Sequence, residues 1–523
     1  MKTKYLSILI LIFILSHAGI CQPGSLNSEF GENGIINTSF GKWYNYSRSM
    51  TLQADGKILL AGLVNMMDTG NFAMARFTSE GNRDNTFSVD GIVISDFGPY
   101  VEDAYSVLTT PDGKIVLTGC GFTGTDYQWD FLIARYNSDG TLDQSFSEDG
   151  RVYSNLSANS EFAYAACMQE DGKIIAAGYE YETLDFVLMR FNTDGSLDNT
   201  FGTEGKLTTD IDDVINTAYC LTIQPDGRII AAGSTQYTSL NMDITLVRYN
   251  PDGSLDNTFS TDGKVVTSFS EYTDVAKAIA LQSDGKILVV GGSDEGTDCY
   301  VVLARYNSDG TLDLSFDEDG KVITDISCTS ICGNALVIQP DNKIVVAGTA
   351  DNGTDYDIIV LRYNPDGSLD PTFGAEGIVI TDIDDMDNEA VAVALTESGN
   401  ILVSGNSRPG PSEGSTLFIA SYLSGLSLGT IDFSIPDNTL LIYPNPLYDN
   451  AVLEYELLSA EFISIALFDS KGTMVQSFFS NELRSAGKHI ERLVIDTNIP
   501  PGNYVLAITN NSNRRSIQII KSN

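Results

Sequence analysis

Apolar residues in this chain come in short runs broken by turns, and no segment of the repeated region has helical spacing. The stretch from Leu197 to Tyr249 shows the pattern. Its strand-like runs are Lys206-Leu207-Thr208-Thr209, Ala218 to Ile223, Arg228 to Ala232 and Ile244 to Tyr249. Between the second and third runs stands Pro225-Asp226-Gly227. Proline presets φ at the first corner and glycine accepts positive φ at the exit, so a tight hairpin is predicted there. The last run is apolar on both faces. In the preceding copy Phe186 and Leu188 share a face with Arg190, while Val187, Met189 and Phe191 take the other. A strand buried on both sides belongs among stacked sheets.

The same sentence is written seven times. The turn residue recurs at Gly56, Gly113, Gly172, Gly227, Gly285, Asn342 and Gly399. Asparagine at position 342 fits, because it is the next best residue at positive φ. A Leu-Asp-x-x-Phe segment ends at Phe30, Phe87, Phe146, Phe201, Phe259, Phe316 and Phe373. Six copies close on Arg plus an aromatic, from Arg76-Phe77 to Arg362-Tyr363, and the seventh has Ser421-Tyr422. Four antiparallel strands in each of seven units of about 57 residues predict an all-β, seven-bladed β-propeller over residues 22–425. A β-solenoid is the rival, but it needs capping units and none is present. The first copy begins at its Leu-Asn-x-x-Phe turn and the last stops after its fourth strand. Strand exchange between first and last blades could therefore close the ring.

Both ends of the chain break the pattern. Residues 1–21 carry Lys2 and Lys4 ahead of an apolar run from Leu6 to Leu15, a signal peptide pattern with cleavage expected near Cys21 and Gln22. A Ser/Gly-rich linker is expected over 426–440. Residues 441–523 alternate in short strands, with Ile463, Ile465 and Leu467 on one face, and predict a small β-sandwich.

Charge narrows the partners. The formal net charge is −40, and the acidity belongs to the repeats. Such a surface repels phosphate backbones, so no nucleic acid partner is expected. No further apolar run is long enough to span a bilayer, so no transmembrane segment is expected in the mature chain. The two histidines, His17 and His489, lie outside the repeats. A Ser-His-Asp triad, a Cys-His pair and a histidine-ligated zinc site are excluded there. The six cysteines after Cys21 occupy unequal positions between repeats and give no disulfide framework.

Three sets of residues carry candidate chemistry. The half-buried Arg at the end of each fourth run needs a partner. The Asp of the next Leu-Asp turn is the natural one: Asp143 for Arg135, Asp198 for Arg190, Asp256 for Arg248. Five residues before the Arg stand Asp130, Asp185, Asp243 and Asp357, an acidic collar if they share a rim. No cofactor or metal is expected; Ca2+ is the ion such a collar could hold. The Asn-x-Asp-Gly turns do not make an EF-hand, because Arg stands where the loop wants an acid. Trp43 and Tyr44 in the first unit, and Tyr127 and Trp129 in the second, break the symmetry and are the candidate ligand-binding residues. Trp stacks on flat ligands such as sugar rings.

Two resemblances follow from these motifs. Asp284-Gly285-Lys286-Ile287, Leu303-Ala304-Arg305-Tyr306 and Asp309-Gly310-Thr311-Leu312-Asp313 resemble delta-60 repeats, a bacterial propeller-type repeat. That resemblance implies architecture and no activity. Residues 441–523 resemble the type A C-terminal sorting domain of the type IX secretion system. The matching features are Tyr443-Pro444-Asn445-Pro446, Leu467-Phe468-Asp469, Pro501-Gly502-Asn503-Tyr504 and Ile519-Ile520-Lys521. It implies the type IX secretion machinery as a partner and delivery to the outside of a Bacteroidota-type cell, released or attached to the surface.

Near-identical blades, absent histidine and a cargo-plus-sorting layout favour a non-enzymatic module that binds glycans or proteins. A carboxylate-dependent polysaccharide hydrolase or lyase is the alternative, and a purely structural surface or matrix repeat is a third.

Overall fold

A computed structural model of the chain describes residues 22–41, 44–66, 69–98, 101–123, 128–154, 160–212, 214–238, 241–294, 299–326, 328, 330–410, 414–426, 440–443, 450–457, 461–468, 474–485, 487–509 and 514–522. Trp43, Tyr127, Pro444, Asn445, Pro446, the leader and most of the linker lie outside them. Among the described residues all regular structure is β. The chain divides into two compact units after Gly425.

The first unit is a seven-bladed β-propeller. Its innermost strands are Tyr44–Leu52, Glu102–Thr109, Glu161–Met168, Ile215–Ile223, Thr273–Leu281, Ser330–Ile338 and Asp387–Leu395. Each is the first of four antiparallel strands. A single parallel bridge between Met242 and Thr273 joins blades 4 and 5. The hairpins between first and second strands have the expected chemistry: Gly227 sits at φ 84° and Asn342 at φ 63°.

The blades are offset from the sequence repeat by one strand. Lys206–Thr209, the first run of its repeat, pairs with Phe186–Met189 and becomes the outer strand of blade 3. A sequence unit is therefore not a blade. Each unit delivers its first strand backward to the preceding blade and keeps three. The ring closes by the same rule: Ile35–Thr38, near the start of the chain, pairs with Leu417–Ala420 and completes blade 7.

Cores form between blades, not within them. Leu59, Ala61, Phe72 and Met74 of blade 1 pack on Ala104, Ile115, Leu117 and Leu132 of blade 2. The third strand is buried on both faces; Phe186–Phe191 is buried at all six positions. Burying a side chain of this size contributes about 1.5–3 kcal/mol, which explains the unbroken apolar run.

The recurring charged residues converge on one node in each of blades 1–6. The expected pairs form: Arg135 with Asp143 and Arg190 with Asp198 at 2.7 Å, and Arg248 with Asp256 at 2.8 Å. Arg76–Asp84, Arg305–Asp313 and Arg362–Asp370 repeat them at 2.6–2.8 Å. Each guanidinium lies 4.4–4.6 Å over the Phe of the same Leu-Asp-x-x-Phe segment. Each also donates to a carbonyl of the next repeat: Ser138, Thr193, Pro251, Ser308, Pro365 and Ser424 in turn. The turn lysine joins the same carboxylate, as Lys173 does with Asp198 at 2.8 Å. Three motifs that look separate in sequence are thus one contact that fastens each blade to the next.

The second unit packs two sheets face to face. One holds Leu441–Tyr443, Asn450–Leu457 and Gly487–Val494; the other holds Glu461–Phe468, Met474–Arg484, Gly502–Thr509 and Arg514–Lys521. Leu453 and Tyr455 of the first meet Ile463, Ile465, Leu467 and Leu506 of the second in a common core. Ile519 is buried beneath them, and the buried Lys521 ammonium donates to the carbonyls of Asp496 and Ile499 at 2.9 and 2.6 Å. His489 stacks on the Tyr455 ring, 5.1 Å between centroids.

Candidate functional site

Every innermost strand carries a β-bulge at the same place. The register breaks between Ser47 and Ser49, and likewise between Ala163 and Ala165, and between Ala218 and Cys220. Blades 2, 5, 6 and 7 repeat the break. A bulge pushes one extra residue out of the ladder and re-aims it. The seven bulged residues are Arg48, Tyr105, Tyr164, Tyr219, Lys277, Asn334 and Val391. Opposite each bulge stands a glycine of the second strand. A Cβ at Gly62, Gly119, Gly178, Gly233, Gly291, Gly348 or Gly405 would lie 1.6–2.0 Å from a carbonyl oxygen across the ladder. The backbone approach forces glycine there, so that recurring residue is structural.

Set on the strands that surround the axis, the bulged residues form a ring of seven whose members differ from blade to blade. Arg48 pairs with Asp103 at 2.8 Å and lies 5.0 Å over the Tyr105 ring. Tyr105 meets Tyr164 edge to face at 5.1 Å. Tyr164 meets Tyr219 at 5.4 Å, and the Lys277 ammonium caps Tyr219 at 4.8 Å. Asn334 and Val391 complete the circle without aromatic rings.

The aromatic run extends outward between blades 2 and 3. Phe122 packs on Trp129 at 4.3 Å, and Trp129 on Phe162 at 5.5 Å. Tyr179 lies within 10° of parallel to both Phe162 and Tyr164. Phe122, Trp129, Phe162, Tyr179, Tyr164, Tyr105 and Tyr219 are all half-buried, so each keeps an exposed part. Together they make a continuous aromatic wall from the rim to the axis.

The structure places the four candidate binding residues unequally. Trp129 is a member of this wall. Tyr44, 37% exposed, opens the innermost strand of blade 1 on the same rim. Trp43 and Tyr127 fall outside the described residues. The wall's other members were not picked out from the sequence, though a signal exists. The bulged residue stands eight positions before the turn residue in every copy, as position 48 does to Gly56 and 105 to Gly113. That column varies from copy to copy, from Arg48 through three Tyr to Lys277, Asn334 and Val391.

The acids Asp130, Asp185, Asp243 and Asp357 share a rim, at the starts of third strands, two strands out from the axis. Asp130 and Asp357 are buried, at 2% and 6% exposure. Asp357 accepts a hydrogen bond from Asn352 Nδ2 at 2.9 Å. Burial pushes the Asp185 and Asp243 carboxyls up.

A second polar ring lies three residues before the bulges: Asn45, Glu102, Glu161, Asn216, Asp274 and Asn388, with Ile331 in blade 6. All seven are buried. They tie down the connections between blades. Asn45, Glu102 and Asp274 accept the N–H groups of Phe40, Phe97 and Phe269 at 2.9, 3.1 and 2.6 Å. Asn216 and Asn388 instead donate to carbonyls of the preceding loop. Burial pushes Glu102 up to about 7, helped by the Asp96 charge and opposed by the Phe97 amide. Glu102 and Asp274 hold backbone, whereas Glu161 accepts from Ser154 Oγ at 2.9 Å and pairs with Lys206.

Six stretches of the first unit, residues 53–87, 110–146, 169–201, 224–259, 282–316 and 339–373, match the domain of unknown function DUF5122 beta-propeller. Residues 441–522 match a secretion system C-terminal sorting domain. Among curated proteins no relative matches the chain. Solved structures with a similar course include PorZ, a surface component of the type-IX secretion system of Porphyromonas gingivalis. That likeness is 13% identical, covers 94% of this chain and 60% of that one, and has a TM-score of 0.42. The chain thus spans about 60% of the length of that protein. An endo-arabinase from Bacteroides thetaiotaomicron is 12% identical over 49% of this chain and 92% of that one, with a TM-score of 0.29. The exo-beta-1,3-galactanase 1,3Gal43A from Clostridium thermocellum is 14% identical over 88% of this chain and all of that one, with a TM-score of 0.31. At such scores these likenesses carry no argument about activity. What the matched segments establish is the make-up of the chain: a propeller of DUF5122-type repeats joined to a type IX secretion sorting domain.

Proposed function

We infer that the chain is exported to the cell surface or the extracellular space, as its sorting domain implies. Among the described residues no helix is long and apolar enough to cross a membrane. We propose that the exported propeller is a non-enzymatic binding module for glycans, with the aromatic wall as its contact surface. One observation carries this reading. The blades repeat one another in turns and glycines, and six of them in nodes, yet seven aromatic rings gather at blades 2, 3 and 4. Aromatic faces pack on the apolar faces of sugar rings, and flanking hydroxyl, Arg and Lys groups hydrogen-bond the sugar hydroxyls. Arg48, Asp103 and Lys277 stand at the edges of the wall in that role. The lack of histidine in the repeats, and the pairing of the six node Asp residues with guanidinium groups, support binding without chemistry.

The test is a glycan array probed with the mature propeller and with Trp129→Ala and Tyr164→Ala. The expected result is a defined set of bound glycans whose affinity drops about tenfold or more, some 1.4 kcal/mol, in each variant. Unaltered binding in both variants would overturn the assignment of the wall. Release of shortened sugars from a bound polysaccharide would replace the reading with the hydrolase or lyase alternative.

A further inference from the structure

The seventh blade departs from the other six at its node. Ser421 stands where they carry Arg, Asn27 where they carry Asp, and Asn400 where they carry Lys or Arg. A cavity of about 450 Å³ opens at this place, between blades 7 and 1. Phe30, the counterpart of the Phe beneath each guanidinium, forms part of its lining. Ser79 lines it too. Ser79 occupies the turn position of Ser138, Thr193, Pro251, Ser308 and Pro365, whose carbonyls accept from the Arg of the preceding blade.

Charge agrees with shape. Asp55 and Glu397 line the cavity, and among the described residues no Lys or Arg does; Lys57 lies outside it, paired with Asp55 at 2.8 Å. The exposed Glu29 is a third acid beside the lining, its N–H donating to Asn27 Oδ1 at 3.2 Å. It stands where blades 1–6 have Thr or Ser, the hydroxyl side that faces the far nitrogen of each guanidinium, as Thr200 does for Arg190 at 3.3 Å. The seventh node has therefore lost both its cations and its paired carboxylate, and has kept the ring of Phe30 and the turn position of Ser79.

We propose that this cavity is a binding site for a guanidinium group, the side chain of an arginine presented by a peptide or protein partner. The six filled nodes are the template: ring below, turn carbonyl at one nitrogen, oxygen at another. Neutral Asn27 lets the site stand empty without an unpaired buried carboxylate, so the occupant can exchange. The site lies on the rim of the hairpin turns, away from the aromatic wall, and does not depend on glycan binding.

The experiment is thermal unfolding of the full exported chain, titrated with N-acetyl-arginine amide and, in parallel, N-acetyl-citrulline amide. Citrulline has the same shape without the charge. The expected result is a saturable rise in melting temperature with the arginine compound, with at least tenfold weaker response to citrulline. Asn27→Asp/Ser421→Arg, which rebuilds the node, should abolish the response. Exposed Glu29→Gln, which leaves the fold intact, should weaken it several-fold. Equal responses to the two compounds, no saturable response, or an unchanged response in Glu29→Gln would overturn the proposal.

Discussion

The backbone N–H of Asn27 donates to the carbonyl of Ser421 at 2.8 Å, across the seam where the two ends of the ring meet. In the other six blades the residues at these two positions form a buried ion pair. Here both charges are gone together, and so is the turn lysine, replaced by Asn400. Losing one alone would leave a desolvated charge without a partner. Asn27→Asp should therefore destabilise the propeller by about 1–3 kcal/mol, read as a lower urea midpoint at unchanged slope. Adding Ser421→Arg should restore it. Failure of the double variant to recover would mean that the seam cannot hold the pair.

The six filled nodes set the acid limit of the fold. Burial pushes the Asp84 carboxyl up, but the Thr86 hydroxyl and amide and the Arg76 guanidinium outweigh it and hold it at about 2. Asp143, Asp198, Asp313 and Asp370 are held lower still against the same burial by Lys, Arg and Ser or Thr groups. The unfolded value is about 3.9. A depressed native value contributes stability that is complete above the unfolded value and lost as pH falls through the native one. The nodes' own contribution should be level from pH 7 to pH 5, and unfolding midpoints should drop from about pH 4 to pH 2. Arg190→Met should cost about 3–5 kcal/mol at pH 7, as for breaking a buried pair, and flatten the acid slope. A melting temperature equal to the parent's would refute the node.

The bulges require their glycines. Gly178→Ala would place a methyl group 1.6 Å from the Phe162 carbonyl oxygen. Relief requires the bulge to flatten or the strands to part, at about 1–3 kcal/mol by analogy with overpacking. It should also move Tyr164, so its near-ultraviolet circular dichroism should change, whereas Gly172→Asn at the hairpin turn should leave that spectrum intact.

Glu102 should respond in the opposite sense to the node acids. Its native value of about 7 lies above its unfolded value of about 4.3. Its contribution is therefore full below about pH 4 and is lost as pH rises to 7. Glu102→Gln should be more stable than the parent at pH 8, with the difference shrinking toward pH 4. The amides at the matching positions in blades 1, 4 and 7, Asn45, Asn216 and Asn388, indicate that the site accepts one. A less stable variant at pH 8 would show that the ionised form is needed.

The sequence made the architecture legible because each turn has a chemical requirement that repeats. Gly227 and Asn342 announced their hairpins, and the two-faced apolar run around Leu188 announced a buried third strand. Arg190 announced Asp198, since a half-buried charge needs a partner. The blade boundary was not legible. A strand such as Lys206–Thr209 has the same local pattern whichever sheet it joins, and only pairing decides. The aromatic wall was half legible. Trp129 stood out as rare, but Tyr164 and Tyr219 read as ordinary strand residues. A bulge leaves no local mark in the strand that carries it; its trace is the glycine on the strand opposite.

The outer strand of blade 7 has a consequence for the order of assembly. Ile35 is among the first structured residues to be made, yet its partner Ala420 comes almost at the end of the repeats. Until the last blade exists, the first strand has nowhere to go and both ends of the arc present open edges. The sorting domain follows directly after that last blade. A chain truncated before its ring can close therefore also lacks its export label, since residues 441–522 come after the closing strand Thr416–Tyr422.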